Sequence, residues 1–106
     1  MSLLCLGLLS FHPRPALADE HIIFILASAY FPQETAVAEG DRVRFINASG
    51  QDHTVAHAGG AWVTVTMADG DELIVAIEKG MTGQFYGEAS KQITGQLDLL
   101  RAPLTR

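Results

Sequence analysis

Three runs in this chain keep period-two alternation, and each comes after a glycine-containing turn. "RVRFIN" sets Val43 and Phe45 on one face and Arg42 and Arg44 on the other, after Glu39-Gly40-Asp41. "WVTVTM" sets Val63, Val65 and Met67 against Thr64 and Thr66, after Gly59-Gly60-Ala61. "ELIVAIE" aligns Leu73, Val75 and Ile77, after Asp69-Gly70-Asp71. Side chains of a strand alternate between two faces, so such runs suit sheets that bury one face only. A helix would need its apolar residues three and four apart.

The rest of the chain fits the same pattern. "HIIFILA", His21 to Ala27, is a β-branched apolar run that reads as a strand buried on both sides. Pro32 breaks the stretch after it, and "ETAVA" reads as a short edge strand. "HTVAH" reads as a short strand and "QFYG" as another, while "ITGQLDLL" closes the domain with Ile93, Leu97 and Leu99 aligned. Seven or eight short strands joined by Gly and Asp turns predict an all-β Greek-key sandwich. Its expected core includes Val43, Phe45, Val65, Val75, Phe85 and Leu97.

The first 18 residues read differently. Leu3 to Phe11 is apolar but too short to span a bilayer, and Ala16-Leu17-Ala18 comes next as an A-x-A site. This pattern predicts a signal peptide over 1–18, cut after Ala18, and one domain over 19–106. No Lys or Arg precedes the apolar run. The expected location is the periplasm or the exterior, with no transmembrane segment after cleavage.

Cys5, the chain's single cysteine, lies inside that leader, so the mature domain has no thiol and no disulfide. Loss of Arg14 leaves six basic residues against twelve acidic ones, a net charge of −6. That balance argues against nucleic acid, whose binding rests on Lys and Arg neutralising phosphates.

From 20 to 101 the chain has an opening strand, then Tyr30-Phe31-Pro32, the run "VAEGDRVRFIN" from Val37 to Asn47, and "HTV" from His53 to Val55. This order of elements resembles the cupredoxins, the plastocyanin- and amicyanin-like blue-copper fold. The resemblance implies a cupredoxin-like sandwich. It also implies a type 1 copper held by His53 and by a second loop reading C-x-x-H-x-x-M-x-G. With Gly95 at the motif's glycine, "FYGEASKQITG" fits without a gap and lacks all three ligands. Gly87 stands at the cysteine, Ser90 at the histidine and Ile93 at the methionine. Thiolate, two imidazoles and a weak thioether make a type 1 site. His53 alone does not.

Other groupings are weaker. His53 with Glu88 would make a His–carboxylate pair for zinc or copper, and His53 and His57 share a face if their strand persists. The plain alternative for His53 is a residue capping the sandwich. Asp52 and His53 with Ser49 or Ser90 name the residue types of nucleophilic catalysis, but no G-x-S-x-G elbow is present, and no enzyme is expected. Tyr30, Phe31, Trp62 and Tyr86 are candidates for a partner-binding patch, with Phe31 expected in the core. Cleavage after Ala18 would expose Asp19-Glu20-His21, which resembles the amino-terminal copper and nickel motif. In that motif the α-amine, two backbone amides and the imidazole surround the metal in a plane.

Two functions are expected. One is a cupredoxin-like domain without a type 1 site and without a cofactor, acting as a binding or interaction module for a protein partner in the cell envelope. The alternative is a periplasmic copper-binding protein, for metal handling or electron transfer, with a non-type-1 site. The candidate metal residues are His53 and His21.

Overall fold

The computed structural model describes residues 18–100. All but the last residue of the expected leader lies outside them, as does the tail 101–106. The described chain forms eight strands: β1 (Glu20–Ile25), β2 (Tyr30–Phe31), β3 (Glu34–Val37), β4 (Arg42–Asn47), β5 (Val55–His57), β6 (Glu72–Ala76), β7 (Gly83–Gly87) and β8 (Thr94–Leu99). They make two four-stranded sheets, ordered β2-β1-β4-β6 and β3-β8-β7-β5. β1 and β4 run parallel, as do β3 and β8; the other pairs are antiparallel. Ile23, Ile25, Val43 and Phe45 from one sheet meet Val37, Val55, Phe85 and Leu97 from the other in one core.

Two turns of the same chemistry feed the first sheet. In Ala38-Glu39-Gly40-Asp41, the Asp41 carboxylate accepts the Ala38 N–H at 2.9 Å, and the Asp41 N–H donates to the Ala38 carbonyl at 3.0 Å. In Ala68-Asp69-Gly70-Asp71 the corresponding bonds are both 2.9 Å. Gly40 and Gly70 have φ of 95° and 90°, a conformation glycine adopts without steric cost. The first turn launches β4 and the second launches β6.

Several expectations need correction. β1 is buried on one face only: Ile23 and Ile25 point inward, while Ile22 and Phe24 are exposed. Phe31, expected in the core, is 64 % exposed; its neighbour Tyr30 is buried instead. "HTVAH" is a strand only from Val55, with His53 in an isolated bridge to Met67. "WVTVTM" is no strand but carries two isolated bridges, at Val63 and Met67. Val65, expected in the core, is 68 % exposed. The inward residues there are Thr64 and Met67, with Trp62 packed on the core. They are not evenly spaced by two, so no uninterrupted strand fits them. Thr64 takes the inward place because its Oγ1 accepts the Val55 N–H at 3.0 Å, which valine cannot do. Val75 is half-buried against the core, and Leu99 is exposed.

Candidate functional site

The end of β4 builds one pole of the sandwich. Asn47 is fully buried, and its amide donates to the carbonyls of Gln51 (2.8 Å) and Met67 (2.9 Å). Its Oδ1 accepts from the Ser49 N–H (3.0 Å) and hydroxyl (2.7 Å). Asn47 therefore closes the loop 48–51 and ties it to the segment opposite His53. His53 and Met67 exchange two backbone hydrogen bonds, of 2.9 and 2.8 Å. The sequence reading assigns Asn47 to a motif without giving it a role; Asn47-Ala48-Ser49-Gly50 at a strand end is the signal of such an Asx turn.

His53 is 8 % exposed, and its ring is enclosed. Its Nε2 and the Tyr30 hydroxyl are joined by a 2.8 Å hydrogen bond, and the two rings meet edge-on at 88°. Burial lowers the His53 pKa below its ordinary 6.5 and raises that of Tyr30, so both are neutral near pH 7. Gly87, at the end of β7, abuts the same ring. A Cβ there would lie 2.8 Å from Cε1 and 3.1 Å from Nε2 of His53, and 3.1 Å from the Ser90 carbonyl oxygen. The loop after β7 is closed by backbone bonds from Ile93 to Ser90 (3.0 Å) and from Gly87 to Ile93 (2.9 Å). Ser90 is exposed, and Ile93 is buried with the core.

These residues do not fit a type 1 copper. Gly87 offers no thiolate, Ser90 no imidazole and Ile93 no thioether, and the imidazole of His53 presses on the space a side chain at 87 would need.

The lowered His53 pKa predicts a pH dependence. The unfolded chain takes up the proton more readily than the folded one. The contribution to stability is therefore complete above about 6.5 and is lost as pH falls toward the lowered folded value. Urea unfolding between pH 7.5 and 5 should show this loss, and His53→Gln should flatten the slope. An equal slope in that variant would contradict the assignment.

The remaining candidates separate. His57 Nε2 donates to the Thr82 carbonyl at 2.7 Å, its Nδ1 accepts the Ala61 N–H at 3.0 Å, and its ring stacks on Trp62. It shares none of these partners with His53 and locks two loops together. Trp62 donates its Nε1–H to the Met81 carbonyl at 2.9 Å and packs toward Phe45 and Phe85, so it is no free anchor. Tyr86 is half-buried beneath Lys91, whose Nζ lies 5.8 Å from the ring centre. Ser49 is held by Asn47 and Gln51, and no described hydrogen bond joins the His53 ring to Asp52, Ser49, Ser90 or Glu88. No nucleophile–base pair forms among the described residues of this pole.

His21 lies at the other end. β1 and β4 run side by side from Glu20 and Arg42 to Ile25 and Asn47, which puts His21 at the start of β4 and His53 beyond its end. His21 Nε2 is 2.8 Å from Oδ2 of Asp41, and the Asp19 N–H donates to Asp41 Oδ1 at 3.2 Å. The Asp41 carboxyl is held below its ordinary 3.8, first by the Ala38 N–H and then by His21.

No protein-family model and no curated protein matches the chain. Solved structures do. The purple cupredoxin from Nitrosopumilus maritimus superposes with a TM-score of 0.67 at 16% identity, over 76% of this chain and 99% of that one. The fold is that of the cupredoxins. An oxidised amicyanin with one methionine replaced by leucine gives a TM-score of 0.68 at 18% identity, over 76% of this chain and 81% of its own. The copper-containing nitrite reductase from Thermus scotoductus SA-01 gives 0.68 at 13% identity. It covers 91% of this chain, which spans only 25% of that enzyme. At these identities the cupredoxin likeness describes the scaffold, and function is argued from the site.

Proposed function

We propose that the chain is a periplasmic or secreted cupredoxin-like domain without a type 1 blue-copper site, acting as a binding or interaction module in the cell envelope. The observation that carries this reading is the pole itself. Tyr30 occupies Nε2 of His53, and Gly87 leaves room only for that ring. The outer face of the first sheet supports a partner role. It exposes Ile22, Phe24, Phe31 and Ile74 around Arg44, which is paired with Glu20 at 2.8 Å and Glu72 at 3.0 Å. Apolar residues grouped on an exposed face mark interaction surfaces more often than isolated ones do. Among the described residues no helix is long and apolar enough to cross a membrane.

Cu(II) added to the secreted protein tests the first half of this reading. The expected outcome is no intense blue thiolate-to-copper absorption and an undisturbed His53–Tyr30 bond by NMR. An intense blue band would overturn it.

A second reading has one observation in its favour. A metal-handling domain with a non-type-1 site is supported by His21, whose ring stands beside two carboxylates.

A further inference from the structure

We propose that Asp19, His21 and Asp41 form a site for a borderline divalent cation such as Zn(II), at the end of the sandwich remote from His53. The inference rests on the metal-handling reading and names its site and cation class. One ligand atom from each of the three residues lies within 4.8 Å of the others. β4 alone carries Asn47 six residues beyond Asp41, roughly 20 Å along the strand.

Asp41 is a preorganised ligand. It is only 7 % exposed, and its carboxylate is fixed by the Ala38 N–H at 2.9 Å and the Asp19 N–H at 3.2 Å. His21 comes from β1, where the register opposite Val43 sets its ring on that carboxylate. The 2.8 Å between Nε2 and Oδ2 is close to the separation of two neighbouring ligands on a tetrahedral zinc, about 3.3 Å for bonds near 2.0 Å. A cation enters by a small widening and takes the place of the shared hydrogen. Asp19 then supplies a second carboxylate from the exposed side.

The matching turn provides an internal control. Asp71 accepts the Ala68 N–H just as Asp41 accepts that of Ala38, but it has no imidazole beside it among the described contacts. The turn is therefore structural in both places, and β1 converts only the first into a donor cluster. An imidazole with carboxylates suits Zn(II), and by the general affinity order Cu(II) binds such a donor set more tightly still.

This geometry differs from the planar amino-terminal motif. That motif deprotonates the backbone amide of His21, which the parallel ladder with β4 commits to hydrogen bonding. The folded site leaves the ladder intact. If cleavage falls after Ala18, the nitrogen of Asp19 becomes an α-amine already beside Asp41 and adds a fourth donor.

The test is a Zn(II) titration of the secreted protein, its terminus placed by mass spectrometry, followed through the histidine ring NMR signals. Zn(II) should move the His21 ring and leave those of His53 and His57. Asp19→Asn and His21→Gln should each weaken binding at least tenfold, and Asp71→Asn should not. Asp19 is exposed, so its variant tests the site without threatening the fold. If either Asp19→Asn or His21→Gln binds as the wild type does, the three-residue site is wrong. If Zn(II) moves His53 instead, this site is wrong but the metal-handling reading stands. If no ring moves at millimolar Zn(II), both fall.

Discussion

Gly95→Ala is expected to destabilise the domain by about 3 kcal/mol, near the upper end for forced overpacking of a core. Gly95 on β8 stands directly opposite Phe85 on β7, and the phenyl ring lies across it. An added Cβ would collide with Cζ of that ring and lie 2.5 Å from Cε2 and 3.0 Å from Cε1. The ring cannot retreat cheaply. Phe85 is fully buried and is wedged by Tyr30, Phe45 and Trp62, with ring centres 4.7, 5.6 and 6.2 Å away. Urea unfolding would measure the loss. Phe85→Leu in the same background should recover part of it, because the two changes act on one contact. A loss under about 1 kcal/mol would mean the ring has a second place to go.

Asn47→Ala should cost about 3 kcal/mol as well, for a different reason. The substitution removes two donated and two accepted bonds at a fully buried position. It leaves the Met67 carbonyl, itself inside the fold, with one partner fewer. Asn47→Asp keeps the volume but points a second acceptor at two carbonyl oxygens, so it should be no better. Because Met67 is bonded to His53 through the backbone, the damage should reach the His53–Tyr30 hydrogen bond and be visible in the His53 ring signals. A variant with near wild-type stability would show that water replaces the amide, and that Asn47 does not organise the pole.

These two residues show what the sequence could disclose. The strands were legible because alternation and Gly-Asp turns are local. Val43, Phe45, Phe85 and Leu97 are buried as their spacing predicts. Gly95 could be seen as a fixed point of a motif, but its reason, the ring of Phe85, depends on the pairing of β7 with β8. Val65 is misplaced by periodicity because that pattern ranks valine above threonine. The fold instead needs a hydroxyl facing Val55. Likewise the apolar run of β1 looks buried on both sides, yet nothing among the described residues covers Ile22 and Phe24. The missing thiolate at Gly87 was legible from one letter. The bond that holds the His53 ring beside Gly87 was not, since Tyr30 meets His53 across 23 residues and only through the folded sandwich. His21 shows a similar limit: its nearness to Asp41 comes from the parallel register of β1 and β4, not from any local motif.

On the proposed reading, the pole around His53 keeps the cupredoxin scaffold and has Gly87, Ser90 and Ile93 where three copper ligands would stand. The most direct measurement is optical absorption on adding Cu(II) to the wild type and to the triple variant Gly87→Cys, Ser90→His, Ile93→Met. The wild type should stay without an intense blue band. The folded triple variant should gain one, the His53 ring giving way to the new thiolate and its metal. A blue wild type, or a folded triple variant that remains colourless with copper, would contradict the account.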